Sequence, residues 1–375
     1  MSAAATTAVP FTDFRAHVRA IRGELDAAVA RVLESGWFIL GPEGEALEKE
    51  LAAAFSAAHC VGVGNGTDAL QLALEAMGVG PGDEVVTSPL SAAFTGLAIL
   101  RAGARPVFAD VDEATLTLSP AAAERALTPR TRVLLPVHLY GHPAEMDGLL
   151  DLARRKNLLM LEDACQAHGA QHRGRTVGTL SDAGTLSFYP TKNLGALGDG
   201  GAVLLAAADH AARLRQLRNG GQSDRYHHEL VGTNSRLDEM QAALLRVGLR
   251  HLPQWTERRR RLAALYTESL AGTALVLPHE QPWARAVWHL YVVRHPRRDA
   301  LRAALEKRGV GTLIHYPIAL HVQRAFASLG GRPGDFPVTE KACGEILSLP
   351  LYPEMSDAQA HRVADAVREA LTEVA

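Results

Sequence analysis

From Val61 to Val203 the chain alternates short apolar runs with longer stretches of helical periodicity, and no other feature constrains its fold as strongly. Val85-Val86 leads into a helical stretch ending near Ala102. Pro106 to Ala109 reads as a strand, Val133 to Val137 as another, residues 144 to 156 as a helix and Leu158 to Leu161 as a further strand. Strands interleaved with helices need right-handed crossovers, which give a mostly parallel sheet covered on both faces. Ligands of such sheets sit beyond the carboxyl ends of the strands.

A chain of 375 residues exceeds one compact unit. The expected division is a large domain over 1–252 and a smaller α+β domain over 253–375, with about the first 35 residues able to pack on the small one. Pro253 marks the boundary, between a helical stretch from about Leu237 to Leu252 and a second running to about Leu270. Beyond it, Trp288 to Val293, Asp299 to Lys307 and Ser356 to Leu371 read as α+β. Upstream, residues 14 to 34 and 43 to 58 are helical in composition and flank the loop Gly36-Trp37-Phe38-Ile39-Leu40-Gly41-Pro42.

The charge sum, 39 − 41 = −2, leaves no basic excess for neutralising a phosphate backbone, so no nucleic-acid partner is expected. Glu257-Arg258-Arg259-Arg260-Arg261 reads as a solvated helix face. Cys60, Cys165 and Cys343 lie far apart without CxxC spacing, which suits a reducing cytosol and suggests no metal site. No charged leader precedes an apolar core and no run of 18 apolar residues occurs, so a cytoplasmic protein with no membrane contact is expected.

Three segments carry chemistry. Gly62-Val63-Gly64-Asn65-Gly66-Thr67-Asp68 opens a helix with Leu70, Ala73, Leu74 and Met77 on one face. Free amides and the positive end of the helix dipole suit a phosphate there. The spacing is GxGxG rather than GxGxxG, and Asp83 and Glu84 precede Val85 instead of closing a second strand, which counts against a dinucleotide turn. Leu158 to Asp163 is an apolar strand ending in two carboxylates, Glu162 and Asp163, at the ligand edge; alone it also reads as a strand-end turn or helix cap. Thr185 to Gly195 is a strand running into a glycine-rich loop with one lysine, Lys192. That lysine is either solvated or, flanked by Pro190 and glycines, turned inward, where its amine loses charge and becomes nucleophilic. A phosphate cradle, a strand-end carboxylate and a later lysine, in that order, are what pyridoxal phosphate (PLP) requires.

At this point the chain resembles the DegT/DnrJ family of nucleotide-sugar aminotransferases, which share the fold type I architecture of aspartate aminotransferase. The resemblance runs from about Gly36 to Leu371. It rests on Ser35 to Pro42, Gly64 to Leu70, His138-Leu139-Tyr140-Gly141, Glu162 to Gly169, Ser187 to Asn193, Asn234 to Ala243 and His315-Tyr316-Pro317. It implies that Lys192 is the Schiff-base lysine and proton shuttle, that Asp163 partners the pyridine nitrogen and that Gln166 reaches the ring hydroxyl. Ser187 and the amides around Gly66, Thr67 and Asp68 would hold the phosphate, with Asn234 entering from the neighbouring subunit of a homodimer with shared sites. On residue type alone Asn234 also reads as the cap of the helix beginning near Leu237. Trp37, Phe38, His315 and Tyr316 fall where the family contacts substrate or closes the site.

One segment departs from the family pattern. The position of the aromatic ring on the cofactor face falls on Ala92, within Pro89-Leu90-Ser91-Ala92-Ala93-Phe94-Thr95, so either Phe94 substitutes or other contacts hold the ring. The implied reaction is a ping-pong transamination from L-glutamate to a keto-sugar on a nucleoside diphosphate, and overall likeness favours C3 over C4. Two competing readings remain: an NAD-dependent oxidoreductase resting on the Gly62 to Gly66 turn, and a non-catalytic regulator that keeps the fold.

Overall fold

The computed structural model describes residues 8–374. Seven strands form the main sheet: β1 (His59–Val63), β2 (Glu84–Thr87), β3 (Arg105–Phe108), β4 (Thr131–Leu135), β5 (Leu159–Asp163), β6 (Ala183–Ser187) and β7 (Gly201–Leu205). Their order is β1-β7-β6-β5-β4-β2-β3. β3, β2, β4, β5 and β6 run parallel, while β7 is antiparallel to both neighbours. A mostly parallel sheet with helices packed on both faces is the α/β architecture expected from the sequence.

The period of two along each strand divides the core between the sheet's faces. Val85, Val133, Leu161 and Val203 join the helix Gly66–Ala76 on one side. Val86, Leu134, Met160 and Leu204 join the helices Pro42–Phe55 and Met146–Lys156 on the other. Burial on both faces is why the strands read as apolar runs rather than as an alternation.

The expected break at Pro253 does not occur. One helix of 31 residues, Glu239–Ser269, runs through it, spanning about 46 Å at 1.5 Å per residue. Pro253 is exposed, so the carbonyl its ring deprives of a donor lies on the face turned to water. The helix starts at Asp238, whose carboxylate accepts from the Gln241 amide at 2.7 Å; Asn234 is not its cap. Its first half packs on the sheet and on the helix Arg22–Ser35 through Ala243, Val247 and Trp255. Its second half supplies Leu262, Ala263 and Tyr266 to a C-terminal core.

That core surrounds β8 (Tyr291–Arg294), antiparallel to β9 (Ile346–Leu349), and the helices Arg298–Lys307 and Asp357–Val374. Val9 belongs to it too, exchanging backbone hydrogen bonds with Gly309 and Gly311, both at 2.9 Å. The strand expected to begin at Trp288 begins at Tyr291, because Trp288 sits at φ 49°, outside the extended region. Among the described residues no helix is long and apolar enough to cross a membrane.

Candidate active site

β5 ends in two carboxylates that part company. Glu162 shares the side of Met160, and Asp163 that of Leu161. Glu162 is wholly buried and accepts from the amides of Gly178 (2.7 Å) and Leu180 (2.8 Å), the Ser181 hydroxyl (2.9 Å) and His138 Nε2 (3.0 Å). His138 Nδ1 accepts from the Ala144 amide at 3.0 Å, which leaves Nε2 as the protonated nitrogen. Glu162 therefore pins loops, and the expectation of two carboxylates at the ligand edge is corrected to one. Asp163 is 4% exposed and accepts from Thr95 Oγ1 at 2.9 Å and the Cys165 amide at 3.2 Å. Among the described residues no cation pairs with it.

The glycine turn after β1 feeds the helix Gly66–Ala76, capped by Asn65, whose Oδ1 accepts from the Asp68 amide at 2.9 Å. That cap occupies one of the expected phosphate donors and leaves the first-turn amides of Gly66 and Thr67 free. The Asp68 carboxylate accepts from Ser235 Oγ at 2.7 Å, and Ser235 Oγ accepts from the Gly64 amide at 3.0 Å. A Cβ on Gly66 would stand 2.7 Å from Cβ of Ser187, so only glycine lets the turn lie directly on the end of β6. β1 is an edge strand beside an antiparallel neighbour. A dinucleotide turn follows a central parallel strand, and the NAD reading loses its footing.

After Ser187 the chain folds back on itself, with Phe188 donating to Gly200 (2.8 Å), Ala196 to Phe188 (2.7 Å) and Lys192 to Tyr189 (2.8 Å) through the backbone. Lys192 is turned inward and only partly exposed, and none of the described carboxylates forms an ion pair with it. Burial of the amine lowers its pKa, against the pull of Cys165 and Asp163. Three imidazoles are kept neutral around it, each first by burial and next by Lys192: His168 lowered to about 3, His315 to about 4 and His289 well below 6.5. Both ring nitrogens of His168 are buried and make no hydrogen bond of good geometry.

Gln166 is buried and fixed at both ends: Oε1 accepts from the Tyr140 amide at 2.8 Å and Nε2 donates to the Tyr316 hydroxyl at 3.1 Å. The Tyr140 hydroxyl donates to the His315 carbonyl, and His315 Nδ1 lies 2.8 Å from Ser348 Oγ. Asn193, next to Lys192, donates through Nδ2 to the Val287 carbonyl (2.9 Å) and offers Oδ1 to His289 Nδ1 (3.2 Å). Gly141 carries φ 90°, and a Cβ there would lie 2.7 Å from the His289 amide. Thr95, Tyr140, Asn193 and His289 lie inside segments quoted from the sequence above, but no role is assigned to them there.

Among the described residues, the side chains of other expected site residues form no hydrogen bond with this cluster. Asn234 is exposed, with a backbone bridge to Asn219 and no side-chain partner among the described residues. Trp37 and Phe38 are 56% and 50% exposed on a loop held at its base by Glu239. Phe94 is 60% exposed, and the residue of its segment that turns toward Asp163 is Thr95. Glu145, Asp147 and His172 come within metal-ligating reach of one another, but Glu145 caps a helix through the Gly148 amide and Asp147 pairs with Arg173.

The sequence profile of the DegT/DnrJ/EryC1/StrS aminotransferase family matches residues 19–368. The dTDP-3-amino-3,4,6-trideoxy-alpha-D-glucose transaminase of Streptomyces venezuelae is 51% identical over 369 residues, 98% of this chain and 97% of that protein. The UDP-N-acetyl-3-dehydro-alpha-D-glucosamine 3-aminotransferase of Acidithiobacillus ferrooxidans is 44% identical over 365 residues, 97% of this chain and 98% of that protein. Among solved structures, S. venezuelae DesV in complex with a ketimine intermediate superposes with a TM-score of 0.96 at 51% identity, covering 98% of this chain and 99% of that one.

Proposed function

The chain belongs to the DegT/DnrJ/EryC1/StrS aminotransferase family, and from that premise we propose how its own residues carry out amino transfer. It is a PLP-dependent aminotransferase of nucleotide-linked keto-sugars. In the finer reading L-glutamate gives the amino group, C3 of the sugar receives it, and the active unit is a cytoplasmic homodimer. The names of both relatives, each placing the nitrogen at C3, support the position.

One observation carries the assignment of roles. Among the described residues Asp163 is a buried carboxylate with no paired cation, and Lys192 an inward-facing amine with no ion-paired carboxylate, which leaves both open to a cofactor. A protonated ring nitrogen suits Asp163 and an aldehyde suits Lys192. The free amides of Gly66 and Thr67, with the Ser187 hydroxyl beside them, suit a phosphate. Gln166 Nε2 carries a second hydrogen that Tyr316 does not use, which suits the ring hydroxyl. Asn234, free on the surface, suits the phosphate of a neighbouring subunit.

Once bound, PLP supplies the electron sink for a carbanion at the substrate carbon. The protein's part is proton transfer and orientation. Burial favours the neutral amine of Lys192, which takes the proton from the donor's α-carbon and delivers one to C3 of the sugar. His168, His289 and His315, all neutral, add no competing positive charge. Trp37, Phe38, His315 and Tyr316 shape the sugar's place. A panel of 3-keto and 4-keto nucleotide sugars, with glutamate consumption followed, tests the reading. Turnover confined to 3-keto sugars is expected; turnover of 4-keto sugars alone would overturn C3, and no turnover with any sugar would return the regulator.

A further inference from the structure

The segment expected to cover the cofactor's face also reaches Asp163. Within the helix Ala93–Arg101, Phe94 faces out and Thr95, 1% exposed, faces β5. Thr95 Oγ1 donates to Asp163 Oδ2 at 2.9 Å and lies 2.9 Å from the hydroxyl of Ser91, itself 2% exposed. A threonine hydroxyl has one hydrogen. If Thr95 gives that hydrogen to Asp163, Ser91 must give its own to Thr95, so the three groups form a chain of donors ending on the carboxylate. Removing the Thr95 hydroxyl would break this chain at its middle and leave Asp163 Oδ2 without its donor.

The contrast with Glu162 is informative. Glu162 has four donors and nothing left to offer a ligand. Asp163 has two, one of them long at 3.2 Å, and keeps lone pairs available. We propose that Thr95, itself oriented by Ser91, is a positioning residue that holds the Asp163 carboxylate aimed at the cofactor's ring nitrogen. The proposal rests on the assignment of Asp163 above and adds a role to residues outside the expected site.

Three variants test it in the purified protein: Thr95→Val, which keeps the shape and removes the donor, Thr95→Ser, which restores it, and Ser91→Ala, which removes only the second donor. For each, apoprotein is titrated with PLP and the pH dependence of the bound cofactor's absorbance is recorded, together with kcat and KM. Loss of a hydrogen bond to a buried charge predicts that Thr95→Val binds PLP about ten- to a hundredfold more weakly. Its cofactor absorbance should titrate at a displaced pH, and kcat should fall with little change in KM for the keto-sugar. Thr95→Ser should recover most of the loss, and Ser91→Ala should show a smaller loss in the same direction. Thr95→Val holoprotein matching wild type in affinity and titration would overturn the proposal. Should Thr95→Val fail to fold, Ser91→Ala decides alone, and unchanged binding and titration there overturn it equally. Failure of the underlying reading looks different, because wild-type protein would then take up no PLP.

Discussion

At Lys192, burial and charge pull in opposite directions: desolvation lowers the amine's pKa, Asp163 and Cys165 raise it, and desolvation is the larger. Burial, reinforced by Asp163, pushes the Cys165 thiol well up, so it stays protonated. An amine placed as Lys192 is loses its proton more readily than a solvated lysine, and the neutral form is the nucleophile. Borohydride treatment of the PLP-loaded protein should fix the cofactor on the peptide carrying Lys192. Lys192→Ala should abolish turnover while costing less than about 1 kcal/mol of stability, since no ion pair is lost. Wild-type turnover in that variant would remove the residue from its role.

At the scale of elements, the first turn of the helix Glu239–Ser269 ties separate loops together. Glu239, 1% exposed, accepts from the amides of Gly41 (2.9 Å), Glu43 (2.7 Å) and Gly44 (2.9 Å), capping the helix Pro42–Phe55 from 196 residues away in the case of Glu43. A Cβ on Gly41 or Gly44 would come within 2.8 Å of its oxygens, so glycine at both positions permits the approach. Two residues on, Gln241 Oε1 accepts from the Leu197 amide at 3.0 Å in the loop that carries Lys192. Glu239→Gln would turn an NH2 group toward amides that already donate. The expected result is destabilisation of about 3 kcal/mol in urea unfolding, with faster hydrogen exchange over residues 36–44. Unchanged exchange there would mean that the Trp37–Phe38 loop is held by other contacts.

For the whole molecule, neutral buried histidines set the response to acid. His168 (about 3), His142 (about 4) and His315 (about 4) titrate in the folded protein well below the ordinary 6.5, chiefly through burial. Between pH 6.5 and about 4 the unfolded chain binds these protons and the folded chain does not. Stability must therefore fall as pH falls through that window, by at most about 1.4 kcal/mol per pH unit for each group. Urea midpoints measured from pH 7 to pH 4.5 should drop steeply; a flat profile would contradict the burial of these rings. Quaternary structure belongs to the same scale. If Asn234 serves a neighbour's site, mixing Lys192→Ala with Asn234→Ala subunits should restore activity, because each hybrid dimer has one site free of both defects. Random exchange would bring back about a quarter of wild-type activity. No recovery would mean that Asn234 works within its own chain or not at all.

Much of this protein is written locally. Apolar runs alternating with helical stretches specify a parallel sheet, because strands buried on both faces have no polar side to show. The glycine turn at Gly62 to Gly66, Asp163 and Lys192 stand in short motifs whose residue types and order already imply a cofactor, while Gln166 and Ser187 are marked only by the family resemblance. Other features depend on which distant segments meet. Only the alternation of β5 against its two covering layers separates Asp163, facing Thr95, from Glu162, facing His138 and the loop Gly178–Ser181. The close approach of Gly141 to the His289 amide, the clamp of Asn193 on Val287 and the carboxylate of Glu239 under Gly41 join residues 94 to 198 positions apart. Pro253 shows the limit from the other side. Its type signals a break, yet packing along both halves of the helix and an exposed ring outweigh one missing hydrogen bond. Local sequence determines which groups are available for chemistry, since residue type sets charge, donor count and backbone preference. Tertiary structure decides which of them are buried together, because desolvation and pairing exist only once remote segments are in contact.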